Sequence, residues 1–214
     1  TVDKFIGDAL MAFWNAPLDV KDHKEKAIHC GRKMFHLLAK LNNEVMDEGL
    51  EELKIGVGIN SGDVVVGNMG SDQRFDYTCL GDAVNLSSRL EGQTKEYRVG
   101  IIVGEETTKG IEDRFNFVEL DKIAVKGKKE GVRIYTILDD TSRCANGGDV
   151  KHHDTFLSFY RKQHWNRALK MIDLNEITYP ELKGYYEMMR ERIQTLRVNK
   201  PGKGWDTIYR ATSK

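Results

Sequence analysis

The apolar residues of this chain follow two different periods in turn, and this alternation restricts the possible folds more than any other feature. In KIGVGINSG, Ile55, Val57 and Ile59 alternate with glycines, and DVVVGNMG follows after a turn, so both stretches are predicted to be strands. The glycines would let another part of the molecule approach the strand closely. Residues 22–43 instead place their apolar side chains at helical spacing. Alternating strands and helices predict an α/β (α+β) fold.

The first residues, TVDKFIGDALMAFW, are predicted to form a β-hairpin. Gly7 and Asp8 lie between two short apolar runs and tolerate the positive φ of a tight turn. Lys4 then lies on the first strand, and Asp8 lies at the tip. Further along, the sequence predicts a helix at 83–91, a strand at VGIIVG, a short helix at ETTKGI and a closing hairpin in FVELDKIAVKGKKEGVRIYTIL.

The composition changes near Cys144, and this change predicts a second region. We expect residues 1–142 to form the main domain, 143–153 a linker and 154–214 a small α-helical extension. Aromatic and aliphatic residues recur at helical spacing in the extension, as in one tetratricopeptide-type helix pair. A single pair cannot bury its own apolar face, so we expect it to pack on the main domain, a neighbouring subunit or a partner protein. Trp205, beyond the last predicted helix, could fold back onto the pair.

Charge and cysteine content disfavour several classes of protein. The 214 residues include 33 Lys and Arg and 33 Asp and Glu, so a surface built to bind nucleic acid or an anionic membrane is not expected. The 3 widely spaced cysteines contain no CxxC pair and predict neither a disulfide framework nor a zinc site. No apolar run approaches the roughly 20 residues that span a bilayer. We therefore expect a cytoplasmic domain that could be attached to a membrane only through segments upstream of Thr1.

Four groups of polar residues are candidates for nucleotide chemistry. Asn85 and Arg89 are four residues apart on a predicted helix, so their side chains share one face and could bind a ribose and a phosphate. Taken alone, such a pair is more often a solvated helix face, and the lysines around VKGK could equally be solubilising charge. The groups are Lys4 with Asp8, Thr78 with Asn85 and Arg89, Lys126 in VKGK, and Arg74.

The blocks KFIGDALMAFW, INSGDVVVGNMGS, DYTCLGDAVNLSSRLE and VKGK, in this order, closely resemble the catalytic domain of class III nucleotide cyclases. The resemblance covers residues 1 to about 138 and implies a ferredoxin-like core whose dimer holds two nucleotide sites at the subunit interface. The family's first metal-binding aspartate lies on a strand upstream of these blocks. The resemblance thus leads us to expect the C-terminal part of a longer cyclase, lacking the first strand and helices and inactive in isolation.

The resemblance also implies a role for each candidate residue. Asp8 would be one of two aspartates that hold two Mg²⁺ or Mn²⁺ ions. Lys4 and Thr78 would recognise the purine, because a lysine donor suits adenine N1 and a hydroxyl acceptor suits the 6-amino group. Guanine would need an acceptor where Lys4 stands, and guanylate-forming relatives have an acidic residue there. The expected substrate is therefore ATP.

The remaining roles concern the ribose and the phosphates. Asn85 would orient the ribose, Arg89 would stabilise charge on the α-phosphoryl group, and Lys126 would hold the leaving triphosphate oxygens. Arg74 would be a further substrate contact. Asp8 of one subunit would act with the other residues of its partner, in an adenylate cyclase for intracellular signalling.

One alternative accompanies this interpretation. It is a catalytically inactive, dimeric cyclase-like module that serves as a sensor output, with the helical extension binding a protein. Asp63 and Asp82 are not expected to replace the upstream aspartate, because Asp63 follows a Gly turn and Asp82 is expected to cap the next helix.

Overall fold

The computed structural model of the chain describes residues 1–71, 74–124, 131–138 and 150–210, and only the backbone at residues 74 and 150. Its strands are β1 (Val2–Ile6), β2 (Ala9–Ala12), β3 (Val57–Ile59), β4 (Val65–Ser71), β5 (Arg74–Leu80), β6 (Ile101–Gly104), β7 (Asn116–Ile123) and β8 (Val132–Leu138). Its α-helices are α1 (His23–Asp47), α2 (Asp82–Tyr97), α3 (Glu105–Thr108), α4 (Val150–Arg161), α5 (Trp165–Thr178) and α6 (Lys183–Val198). The mixed α/β prediction is confirmed.

The central sheet has four strands in the order β3, β6, β8, β7. β3 and β6 are parallel, and the other neighbouring pairs are antiparallel. Along β6, Ile101 and Val103 pack in a cluster with Ala27 and Ile28 of α1, whereas Ile102 packs in the cluster that includes α2. Because successive side chains of a strand point to opposite faces, helices cover the sheet on both sides.

Helix α2 lies directly on β3 because Gly56 and Gly58 have no side chains. A Cβ atom at Gly58 would lie 2.3 Å from the backbone O of Ser87 and from the backbone N of Glu91, and one at Gly56 would lie 2.1 Å from Thr94 Oγ1. The Ser87 hydroxyl also donates a hydrogen bond to the Gly58 carbonyl over 2.9 Å. The close approach predicted from the alternating glycines is therefore made by a helix of the same chain.

The C-terminal helices pack on the face of the sheet that α2 also covers. They share one apolar core with α2, β7 and β8, whose members include Leu90, Val118, Leu120, Ile134, Phe156, Tyr160, Ile172, Tyr185 and Met189. The Tyr185 hydroxyl donates a hydrogen bond to the Leu120 carbonyl over 2.7 Å. Beyond α6, the Tyr209 amide donates to the Lys122 carbonyl over 2.8 Å, so the chain also runs along β7 there.

This packing corrects the expectations for the extension. Helix α4 begins at Val150, so residues 150–153 are helical rather than part of a linker, while residues 143–149 lie outside the described part of the chain. Three α-helices, and not one pair, follow one another, and the sheet covers their apolar faces. Trp205 does fold back, with its ring 5.3 Å from that of Tyr160 and 5.9 Å from that of Trp165. The sheet and α2 thus bury most of the apolar side chains of the extension, whereas Leu174, Ile177 and Val198 remain exposed.

Two hairpins lie outside the central sheet. β1 pairs with β2, and β4 pairs with β5, both antiparallel. The turn between β1 and β2 is Gly7-Asp8, with a φ of 65° at Gly7, so the predicted hairpin is confirmed. A cavity of about 650 Å³ lies between β2 and β3, which are not hydrogen-bonded to each other. Within the described residues, no helix has the length and apolar character needed to cross a bilayer.

Candidate active site

The β1–β2 hairpin positions two of the candidate residues. Lys4 lies in the middle of β1, and Asp8 lies in the turn. The Asp8 side chain is exposed and has no hydrogen bond or ion pair with another described residue. An exposed carboxylate at the end of a short hairpin is free to bind a cation.

A β-bulge places Asp3 beside both predicted base-recognition residues. Val2 pairs with Ala12 and Lys4 with Met11, so Asp3 is the extra residue on its strand. Its side chain is only 1% exposed, and Lys4 Nζ lies 3.5 Å from Asp3 Oδ1. The Thr78 hydroxyl donates a hydrogen bond to Asp3 Oδ2 over 2.5 Å. The structure therefore brings Lys4 and Thr78 to one buried carboxylate.

Strand β5 adds a second acid and a thiol to this region. Lys4 Nζ lies 3.8 Å from Asp76 Oδ2, an ion pair that is partly exposed on both sides. Cys79, next to Thr78, is buried, and burial together with the Asp3 carboxylate raises the pKa of its thiol. The thiol is thus held protonated at neutral pH and is not a nucleophile.

Helix α2 presents Asn85 and Arg89 to solvent. It begins at Asp82 and continues to Tyr97, longer than the predicted 83–91. Its N-cap is Gly81 and no side chain caps it, so the expectation that Asp82 caps the helix is wrong. Leu86 and Leu90 anchor the buried face of the helix, whereas Asn85 and Arg89 are exposed. Neither of these two side chains has a hydrogen bond or ion pair with another described residue.

Two candidates fall outside what the structure describes. Lys126 is one of residues 125–130, which are not among the described residues, and Arg74 is described only as the first backbone position of β5. Their predicted roles stay predictions. Among the described residues, no group of three or more His, Cys, Asp or Glu side chains is arranged to hold a metal ion. Asp8 would therefore need further ligands to bind one.

Sequence reasoning missed Asp3. The residue stands next to Lys4, but regular alternation along a strand would point the two side chains to opposite faces. Only the bulge, which depends on the pairing with Met11 and Ala12, brings both to the same place. An acid directly before the candidate Lys4, within a short hairpin strand, is the signal that could have identified it.

Residues 3–139 match the family model of the adenylate and guanylate cyclase catalytic domain. Adenylate cyclase 1 of Rhizobium meliloti (strain 1021) is 33% identical over 138 residues, which are 64% of this chain and 21% of that protein. The terminal-differentiation-specific adenylate cyclase of Dictyostelium discoideum is 30% identical over 207 residues, which are 92% of this chain and 10% of that protein. The chain thus spans about a fifth or less of the length of these relatives.

A solved structure of a cyclase is also similar to this chain. The crystal structure of the adenylyl cyclase CyaB from P. aeruginosa matches with a TM-score of 0.60 and 36% sequence identity, over 65% of this chain and 71% of that one. The family match covers more than half of the chain and includes both hairpins, α2 and the central sheet. The chain therefore belongs to the adenylate and guanylate cyclase catalytic domain family.

Proposed function

We propose that this protein is an adenylate cyclase, which converts ATP to 3′,5′-cyclic AMP and pyrophosphate in intracellular signalling. The family includes enzymes for both purines, so the choice of ATP rests on the base-recognition residues. The observation that supports it is the contact of Lys4 and Thr78 with the same carboxylate, that of Asp3. This contact would place a cationic donor and a hydroxyl side by side, as the adenine edge requires.

Adenine and guanine differ at the two positions that these residues would meet. Adenine offers an acceptor at N1 and a donor at the 6-amino group, whereas guanine offers N1–H and an acceptor at O6. Lys4 would donate to N1, and Thr78 would accept from the 6-amino group. Guanine would place its N1–H donor against the Lys4 donor and its O6 acceptor against the Thr78 acceptor. Neither pair can form a hydrogen bond, and the unpaired polar groups disfavour GTP.

Asp8 would hold the divalent ions, Mg²⁺ or Mn²⁺. These ions prefer oxygen ligands, and Mg²⁺ is commonly bound through one or two carboxylates together with substrate phosphates. A single exposed carboxylate fits that pattern, although a two-ion site needs at least one more protein ligand. When bound, the ions would lower the pKa of the ribose 3′-hydroxyl and neutralise charge on the phosphates.

The other side chains would bind and orient the nucleotide. Asn85 would hydrogen-bond the ribose and keep the 3′-oxygen in line with the α-phosphorus. Arg89 would donate to the α-phosphoryl oxygens as their charge increases, and Lys126 would bind the leaving polyphosphate, with Arg74 as a further contact. Asn85 and Arg89 are exposed and unpaired within the described part of the chain, so both are available for these contacts.

We propose that the site forms between two copies of the chain. Asp8 would come from one subunit, and Lys4, Thr78, Asn85, Arg89 and Lys126 from the other. In support, both hairpins expose large apolar side chains that a subunit interface could cover: Phe5, Ile6, Leu10, Val65, Phe75 and Leu80.

Turnover of the two nucleotides tests the proposed substrate. The full-length protein should form cyclic AMP from ATP with Mg²⁺ or Mn²⁺, and little cyclic GMP from GTP. Changing Lys4→Glu together with Thr78→Cys should reduce kcat/KM for ATP, because an acceptor would then face adenine N1. Equal turnover of both nucleotides would contradict the proposed adenine preference. A dimer without any turnover would instead support the inactive, cyclase-like module.

Mixing two inactive variants tests the shared site. Asp8→Ala and Asn85→Ala subunits, each nearly inactive alone, should form a mixed dimer with one intact site. Random exchange would then restore about a quarter of wild-type activity, because half of the dimers are mixed and each has one of two sites. The exchange itself can be followed with two differently labelled subunits. If mixed dimers form and remain inactive, the site is not shared in this way.

A further inference from the structure

The Asp3 carboxylate is buried, but it belongs to the proposed base-recognition site and not to the apolar core. The bulge removes Asp3 from the regular pairing of β1 with β2 and leaves its side chain 1% exposed. One carboxylate oxygen accepts the Thr78 hydrogen bond, and the other has no hydrogen-bond partner among the described residues. That second oxygen lies 3.5 Å from Lys4 Nζ. Both oxygens of Asp3 thus face the side chains assigned to the purine.

The Thr78–Asp3 hydrogen bond fixes the direction of the Thr78 hydroxyl. A threonine hydroxyl has one proton to donate and two lone pairs that can accept. The Thr78 hydroxyl donates its proton to Asp3 Oδ2, which accepts it over 2.5 Å. With that proton committed, Thr78 can only accept a hydrogen bond from a ligand.

We propose that Asp3 is the positioning residue that sets the base preference, by holding the Thr78 hydroxyl as an acceptor. This inference rests on the proposed adenine recognition and adds the residue that enforces it. Without the carboxylate, the hydroxyl could rotate and donate to guanine O6, and Thr78 alone would not distinguish the two purines.

The test is the ratio of kcat/KM for ATP to kcat/KM for GTP, measured on the full-length protein. Asp3→Asn retains the shape of the side chain. The Lys4 ammonium beside Oδ1 favours the amide oxygen on its own side, so the amide nitrogen faces Thr78, donates to the hydroxyl and releases the hydroxyl proton. We expect the ratio to fall about tenfold, the usual effect of one hydrogen bond gained or lost. Most of the change should come from increased GTP turnover. Asp3→Glu, which keeps an acceptor, should retain more of the ATP preference than Asp3→Asn.

A double-mutant cycle separates this role from a structural one. If Asp3 acts through Thr78, then Asp3→Asn should change the ratio little in a Thr78→Val background, where no hydroxyl remains to be oriented. Asp121→Asn is the matched control, because Asp121 is also buried and accepts a hydroxyl hydrogen bond, from Tyr97, away from the candidate site. It should lower the melting temperature and leave the ratio unchanged.

The outcomes distinguish a failure of the proposed adenine preference from a failure of the proposed role of Asp3. A wild-type ratio near one overturns the adenine preference and, with it, the role of Asp3. A strong wild-type preference that persists in a folded Asp3→Asn protein overturns the role of Asp3 alone. If Asp3→Asn does not fold, Asp3→Ala removes the acceptor altogether and leaves the Thr78 hydroxyl free to rotate, so an unchanged ratio has the same meaning.

Discussion

Two sets of polar residues in this chain occupy opposite environments. One is a buried polar cluster, Asp121, Arg192 and Tyr97, between the sheet, α6 and α2. Arg192 Nη1 lies 2.5 Å from Asp121 Oδ2, and the two side chains are 11% and 2% exposed. The Tyr97 hydroxyl donates to the same carboxylate oxygen over 2.8 Å. The other set, Asn85 and Arg89 with Asp8, is exposed and unpaired within the described part of the chain.

This difference indicates which polar residues are structural and which are available for a ligand. In the buried polar cluster, burial and then the Asp121 carboxylate raise the pKa of Tyr97, which therefore remains a neutral donor. The Arg192 guanidinium also stacks 3.9 Å from the centre of the Tyr209 ring, so the cluster also contacts the segment beyond α6. Asp3 combines both environments, because it is buried like Asp121 but bonded to residues of the candidate site.

Breaking the buried polar cluster should have the largest effect on stability. Arg192→Met leaves the Asp121 charge buried without its partner, and such changes cost about 3–5 kcal/mol of the free energy of unfolding. Urea unfolding followed by circular dichroism measures this loss. The double variant Arg192→Met with Asp121→Asn removes the unpaired charge and should be more stable than Arg192→Met alone. Equal stability of the two variants would mean that the ion pair is not what holds α6 on the sheet.

Replacing an exposed candidate residue should give the opposite result. Arg89→Ala removes a donor to the α-phosphoryl group, so kcat should fall by about 10²–10³. The free energy of unfolding should change by no more than about 0.5 kcal/mol, because the side chain is exposed and has no hydrogen bond or ion pair with a described residue. Lys95→Ala, an exposed cation on the same helix, is the matched control and should leave both quantities unchanged. A large loss of stability in Arg89→Ala would place Arg89 with the structural residues.

The sequence predicts local features of this molecule better than contacts between distant segments. The Gly7-Asp8 turn and the close approach at Gly58 follow from local rules, since both depend on what a glycine backbone can adopt. The bulge at Asp3 does not, because it depends on which residues of β2 pair with β1. Knowing that a helix has an apolar face likewise does not say what covers it, and the packing of α4–α6 on the sheet had to be observed.

His153 shows the same limit for a single side chain. Its neighbourhood, a pair of histidines after a glycine-rich stretch, predicts a linker with ordinary surface or partly buried side chains. The structure instead buries His153 completely in α4, between a carbonyl of β7 and a tyrosine of α6. The ring joins the extension to the central sheet, and its neutral form is required there.

The pH dependence of unfolding tests this assignment. Because Glu119 O can only accept, His153 Nε2 donates to it over 2.6 Å, which leaves Nδ1 to accept from the Tyr186 hydroxyl over 2.8 Å. Burial lowers the pKa of His153 to about 4. Between an unfolded pKa of about 6.5 and that value, the unfolded chain binds one more proton. The free energy of unfolding should therefore fall by about 1.4 kcal/mol per unit as the pH decreases through this range, and the contribution is fully present above it.

His153→Gln isolates that contribution, because glutamine can still donate to the Glu119 carbonyl and does not titrate. The variant should be less stable than the wild type at pH 7, and the difference between the two proteins should shrink as the pH falls toward 4. His152→Gln changes the exposed neighbour and should follow the wild-type curve throughout. If the wild-type and His153→Gln curves stay parallel from pH 7 to pH 4, His153 does not need to be neutral in the folded protein. The junction between the extension and the sheet would then tolerate an unpaired charge at His153, whereas the Asp121 charge in the same interface is paired with Arg192.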